Sequence, residues 1–330
     1  MRPDPIFLLG AHKSGTSLIR ALFDGISRYA VLPIETHPFQ ILDYGIRYPY
    51  RKQNPKSLHF GEAQKKGLAW IRKSNINVDK YSDSLTIDMF DEDRFQKEIE
   101  KNQSCMNEKR FLEDYFSAVF ISYKGNHSLR DTQRFVEKSV ENMEFAADLK
   151  KIYPEAKFIH IIRNPYSNLV SLRKYKGKKK YPFLDKPIKA LYESYYYLDR
   201  NERLIDNYEI IKYEDLISRP ENTLRRMCEN LNITFNSKML VPTINNGNSW
   251  KGNSTTDMKF SGISDEKLYN WKKEICPLEI AFVNKLFPHV LDRFKYEKLD
   301  TKKKLRRNSY ESLRTYCYNR IYLSRAVALF

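Results

Sequence analysis

The chain has 330 residues, 41% of them hydrophobic, and its 58 lysines and arginines against 41 acidic residues give a formal charge of +17. That apolar fraction supports a buried core and excludes a disordered chain. The basic excess calls for an anionic partner: a nucleic acid, a phosphorylated cofactor, an acidic glycan or a membrane surface. The four cysteines, Cys105, Cys228, Cys276 and Cys317, stand too far apart for a zinc site or a disulfide framework. No apolar run reaches the roughly 20 residues of a membrane span. The first strand begins by Ile6 with no charged-then-apolar leader before it, so a soluble, cytoplasmic protein is expected.

The stretch "IFLLGAHKSGTSLIRAL", Ile6 to Leu22, reads as strand, loop and helix. Gly10 and Gly15 are spaced as in the triphosphate loop G-x-x-x-x-G-K-[ST], but the lysine slot holds Thr16 and the lysine stands earlier, at Lys13. A helix N-terminus offers free N–H groups and a partial positive charge to an oxyanion. Gly15 admits close backbone approach, and Thr16 and Ser17 add hydroxyl donors. The plainer alternative is a strand–turn–helix whose glycine serves packing.

"YAVLPIETHP" follows as a short apolar stretch broken by prolines. Residues 43–126 are polar and aromatic, with two predicted helices, "DEDRFQKEIEKN" and "EKRFLEDYFSAVFISY", and read as an insertion or cap on the acceptor side. Regular alternation returns at Arg134. "RFVEKS" predicts a strand, "ENMEFAADLKKIYP" a helix stopped at Pro154, and "KFIHII" a buried parallel strand. A helix from about Pro165 to Tyr175 and a longer one over roughly Ile188 to Asn207 come next. "YEIIKYEDL" reads as a strand entering a turn, and "PENTLRRMCENLNI" as a helix with proline in its first turn. The basic run "RKYKGKKKY" reads as a solvated loop. The basic C-terminal stretch from Asn308 predicts a docked helix, with peripheral membrane contact as the alternative. Strand–helix alternation with apolar strands predicts an α/β fold: a P-loop-type parallel sheet with helices on both faces and a helical insertion. Residues 1–300 are expected to form one domain and 301–330 a tail.

The order K-S-G-T-S resembles the 5′-phosphosulfate loop of sulfotransferases that use 3′-phosphoadenosine 5′-phosphosulfate (PAPS). "RNPYSNLVS" resembles their 3′-phosphate site, with Arg163 directly after a buried strand and Ser171 on the next helix. Further motifs, "PIETHP", "VEKSVEN", "IIKYEDL" and "NSTTDMKFSGISDEKLYNW", resemble tyrosylprotein sulfotransferases and their bacterial relatives. The resemblance implies in-line transfer of a sulfuryl group from PAPS to a hydroxyl acceptor, with desulfated PAP as product and no metal required. It implies that Lys13, Ser14, Gly15, Thr16, Ser17, Arg163, Ser171, Tyr213, Ser254 and Thr255 hold the donor. Lys13 and Lys138 would stabilise charge on the leaving and sulfuryl oxygens, and Glu35 would be the general base, with His37 as the alternative. His12 is expected to be structural. The sequence departs from the pattern at Val140, where the relatives have proline, and at Asn270, where they have lysine before the tryptophan that is Trp271 here; their membrane anchor has no counterpart.

Two other classes compete. A kinase-like P-loop enzyme requires a lysine at position 16 and an acidic strand end, which "HIIRNP" does not supply. A nucleic-acid-binding module fits the charge and the aromatic content, but has no need of the ordered loop with Arg163 and Ser171. No nucleic-acid partner is therefore expected. The acceptor, a glycan, lipid, peptide or small molecule with anionic or carbohydrate character, is left open.

Overall fold

A computed structural model describes residues 2–42, 60–76, 89–101, 107–123, 126, 128–177, 181–250, 252, 262–266, 268–301 and 312–325. Four consecutive apolar residues without polar alternation must be covered on both faces. Ile6–Leu9 (β1) is accordingly buried at every position, at the centre of a five-stranded sheet. The strands Tyr29–Val31 (β2), Arg134–Glu137 (β3), Lys157–Ile162 (β4) and Tyr208–Lys212 (β5) join it in the order β2-β3-β1-β4-β5, all parallel. The chain winds first to one side of β1 and then crosses to the other. Leu9 lies opposite His160, so the carboxyl ends of β1 and β4 emerge side by side at the point where the winding reverses, where open α/β sheets bind ligands.

The helices run in chain order as α1 (Thr16–Phe23), α2 (Pro38–Ile41), α3 (Phe60–Ile76), α4 (Glu92–Ile99), α5 (Glu108–Ser122), α6 (Asn142–Ile152), α7 (Pro165–Gly177), α8 (Asp185–Leu204), α9 (Tyr213–Ser218), α10 (Pro220–Asn230), α11 (Pro277–Leu286), α12 (Pro288–Arg293) and α13 (Leu313–Arg325). One apolar cluster joins the sheet to α1, α5 and α6, and a second fills the space between α7, α8 and α11. The expected parallel α/β sheet with helical cover is thus observed. A two-strand hairpin, Thr243–Ile244 (β6) with Asn248–Ser249 (β7), is pinned to the end of α1. There Asp24 accepts hydrogen bonds from Thr243 Oγ1 at 2.9 Å and from the Gly247 N–H at 2.7 Å.

Three differences from the sequence reading have physical causes. The stretch 43–126 carries three described helices, not two. In α3, Gly61 and Gly67 lower helix propensity, but a Cβ at Gly67 would stand 2.8 Å from the Tyr115 ring, so that glycine lets α3 press against α5. The turn after β5 is instead helix α9, which places Glu214 and Asp215 in its first turn, where acids complement the helix dipole. The basic run from Arg173 does not begin as a loop: its first residues complete α7. The tail helix α13 docks as expected, Asn319 Oδ1 accepting from the Leu184 N–H at 2.8 Å. Among the described residues no helix is long and apolar enough to cross a membrane.

Candidate active site

β1 opens directly into the loop. Gly10 has φ 140°, and a Cβ there would lie 2.5 Å from the Ile161 carbonyl oxygen. Ser14 Oγ donates to the Ala11 carbonyl at 2.8 Å, so this hydroxyl shapes the turn from beneath. Gly15, at φ 114°, is the N-cap of α1, and no side chain caps that helix. The N–H groups of its first turn are left to a cavity of about 250 Å³ lined by Lys13, Gly15, Thr16, Ser17 and Leu18. A Cβ on Gly15 would stand 2.5 Å from the Tyr213 ring. The absence of a side chain is therefore what lets Tyr213 close that wall.

Arg163 leaves β4 toward the same cavity. Its Nη1 donates to the Lys13 carbonyl at 3.0 Å and its Nε to Ser167 Oγ at 2.9 Å, while the guanidinium lies 4.6 Å from the Tyr213 ring centre. Further along α7, Ser171 lines the cavity too. The structure thus brings together Lys13, Gly15, Thr16, Ser17, Arg163, Ser171 and Tyr213, which are far apart in sequence. Ser254 and Thr255 lie outside the described residues. Trp250 and Lys174 are among the lining residues that escaped the sequence reading. Trp250 arrives on the β6–β7 hairpin, whose two-residue strands give no pattern. Lys174 was assigned to a solvated loop but stands three positions after Ser171 on α7, where it pairs with Glu274; that helical spacing was the available signal.

The second half of the site hangs on the loop after β2. The Trp70 indole N–H donates to the Glu35 carbonyl at 3.0 Å, and the Tyr115 hydroxyl to the Thr36 carbonyl at 3.0 Å. Thr36 Oγ1 donates to the buried Glu137 carboxylate at 2.7 Å, and the His37 N–H to Ser139 Oγ at 3.0 Å. Thus α3, α5 and the end of β3 all hold this segment. The Glu35 side chain keeps 22% of its surface exposed and pairs through Oε1 with the Lys138 ammonium. The same Nζ lies 3.3 Å from Ser17 Oγ. Burial opposes charge on Glu35, but Lys138 and the hydrogen-bonded His37 outweigh it and hold the carboxyl well below its usual range. His37 Nε2 lies 3.3 Å from Glu35 Oε2, and Nδ1 lies 2.5 Å from Glu141 Oε1. Burial opposes the imidazolium as well, but Glu141 and Glu35 raise its pKa to about 10. Burial pushes His12 down to about 4. The Asn168 amide donates to its backbone carbonyl at 3.2 Å.

The profile of the sulfotransferase family matches residues 5–237. The chain belongs to the sulfotransferase family. Over 97 residues this sulfotransferase is 34% identical to the omega-hydroxy-beta-dihydromenaquinone-9 sulfotransferases of Mycobacterium bovis and Mycobacterium tuberculosis, a match covering 26% of the chain and 25% of each relative. It spans about a quarter of the length of these curated relatives. The sulfotransferase domain from the curacin biosynthetic pathway superposes with a TM-score of 0.52 at 18% identity, over 91% of this chain and 100% of that domain; this is a likeness of fold. The family match supports sulfuryl transfer in general over the kinase-like reading.

Proposed function

We propose that this sulfotransferase moves a sulfuryl group from PAPS to a hydroxyl acceptor, with Glu35 as general base. The observation that carries the reading is Lys138, whose ammonium touches the Glu35 carboxylate and lies 3.3 Å from Ser17 Oγ at the head of α1. Proton acceptor and anion cradle thereby share one cation.

The residues fit the donor. The uncapped amino end of α1 and Lys13 suit a phosphosulfate, and the second cationic flank, Arg163 with Ser171, suits a further phosphate. Tyr213, against which the Arg163 guanidinium packs, supplies an aromatic wall. PAPS supplies a sulfuryl group already activated on a phosphate oxygen. Glu35 takes the acceptor's hydroxyl proton as the acceptor oxygen bonds to sulfur and the bond from sulfur to the 5′-phosphate oxygen breaks. The departing electron pair stays on that oxygen, whose charge Lys13 and Lys138 would stabilise. PAP and a sulfate ester result. His37 has both ring nitrogens against carboxylates, which favours Glu35 over it as base. Helices α3 and α5 support the base from the far side and make residues 43–126 the acceptor side in this reading. The acceptor is a hydroxyl-bearing glycan, lipid, peptide or small molecule; the curated relatives' name, a hydroxylated menaquinone sulfotransferase, adds weight to a lipid.

The test is Glu35→Gln. It keeps the shape, so PAP affinity in calorimetry stays as in the wild type. Turnover with radiolabelled PAPS and saturating donor falls by roughly 10² or more, the scale of a lost general base. Near-normal turnover in that variant, with His37→Ala inactive, hands the role to the histidine.

A further inference from the structure

Glu35 as base does not explain the imidazole buried behind it. His37 is only 7% exposed, its ring lies edge-on to Trp70 at 4.3 Å between centres, and its backbone holds a left-handed φ of 48°. That backbone conformation costs a non-glycine residue energy and persists only where its surroundings enforce it. Ser139, which takes the His37 N–H, is one enforcing contact. The ring bridges two carboxylates, Nε2 on Glu35 Oε2 at 3.3 Å and Nδ1 on Glu141 Oε1 at 2.5 Å. Gln40 Nε2 donates to the same Glu141 oxygen at 3.2 Å. An imidazole that donates through both nitrogens has no lone pair left for a proton and acts as a clamp.

Lys138 and Glu141 stand three residues apart at the exit of β3, and between them they reach both oxygens of Glu35. Lys138 holds Oε1 directly, and Glu141 holds Oε2 through His37. We propose that Glu141 is a positioning residue: by fixing His37 it holds the Glu35 carboxylate so that Oε1, the oxygen paired with Lys138, is presented to the acceptor's proton. This rests on Glu35 being the base. The arrangement follows the general logic of a base oriented by a further group. The charged and titratable groups facing His37 are Glu35 on its own loop, Lys138 after β3, Glu141 before α6 and His12 from the first loop.

The test uses the full-length protein and compares Glu141→Gln with Glu141→Asp. The His37 ring is followed by NMR titration, its signals assigned by their loss in His37→Asn. The Glu141 carboxylate favours the imidazolium, so removing its charge lets the ring lose its proton at a lower pH. The ring midpoint in Glu141→Gln falls below that of the wild type, and the alkaline limb of kcat moves down with it. Turnover falls on the order of 10²-fold, the scale of a misplaced catalytic group, while PAP affinity is unchanged. Glu141→Asp keeps the charge, and with it the raised midpoint and part of kcat. An unmoved midpoint in Glu141→Gln, an intact kcat, a fall in PAP affinity parallel to kcat, or no recovery in Glu141→Asp overturns the proposal. The titration needs no turnover, so its failure is distinct from failure of the functional reading, which would show as a wild-type protein that does not bind PAP.

Discussion

Lys138 and Glu35 form an ion pair across 103 positions of the chain, and the same ammonium lies 3.3 Å from Ser17 Oγ. Lys138 is 6% exposed and Glu35 22%, so neither charge is well solvated without the other. Lys138→Met leaves the carboxylate with only the His37 imidazolium, 3.3 Å from Oε2, as its cation. Removing one partner of a fully buried pair costs about 3–5 kcal/mol, and the partial exposure of Glu35 brings this pair below that range. The double variant Lys138→Met, Glu35→Gln recovers part of the lost stability, because the carboxylate is removed along with its lysine. Urea midpoints of the two variants check this; equal stability would mean that the pair is not coupled.

In the proposed reading, donor binding would depend on two cations from different strand ends. Lys13→Ala and Arg163→Ala each weaken PAP binding by about 1–3 kcal/mol, the scale of a charge-assisted hydrogen bond left unmade. Calorimetry measures it. Unchanged affinity in both folded variants would remove PAPS as the donor.

Gly15→Ala closes the loop from inside. The new methyl meets the Tyr213 ring, and φ of 114° strains any residue with a Cβ. The expected result is a chain with wild-type far-UV circular dichroism that no longer binds PAP. Adding Tyr213→Ala relieves that contact but leaves Ile161 Cδ1 at 2.9 Å and the backbone strain, so binding returns only in part.

In the proposed mechanism Lys13, Lys138 and the head of α1 would meet the charge at the leaving oxygen, so turnover with radiolabelled PAPS is expected to persist in excess EDTA. A strict magnesium requirement would point to phosphoryl chemistry instead.

His160 predicts an acid-side slope. It is fully buried in β4, with Nδ1 2.5 Å from the Tyr208 hydroxyl, and burial lowers its pKa to about 3. The unfolded chain takes up a proton near pH 6.5 that the folded chain refuses. Between those values the unfolded state binds more protons, so stability rises with pH, by up to about 1.4 kcal/mol per pH unit from this group. Stability therefore falls as pH drops from about 6.5 toward 3. His160→Gln flattens that slope in urea unfolding between pH 6 and 4, whatever its effect on absolute stability; an equal slope refutes the assignment.

The donor half was legible because its chemistry is local. Strand, loop and helix are consecutive from Ile6, so spacing marked the anion loop, while Arg163 and Ser171, which share one strand–helix unit, were found through the resemblance. The base side was legible only by resemblance. Nothing in "PIETHP" shows that Trp70 and Tyr115 reach its backbone, because those contacts join segments separated by 35 and 79 positions. Glu141 went unmarked for the same reason: its partner lies 104 residues away, and an acid before a helix reads as a cap. Lys174 was hidden by the lysines after it, which made a helical residue look like part of a loop.

The supports of the Glu35 loop also bear on engineering. Trp70 and Tyr115 belong to the segment in which acceptor choice would be sought, yet each spends its only N–H or O–H donor on the backbone beside the base. A chimaera that exchanges residues 43–126 for those of another sulfotransferase would carry away two struts of the Glu35 loop. Such grafts should keep an indole at position 70 and a phenol at position 115, and vary only the surface between them.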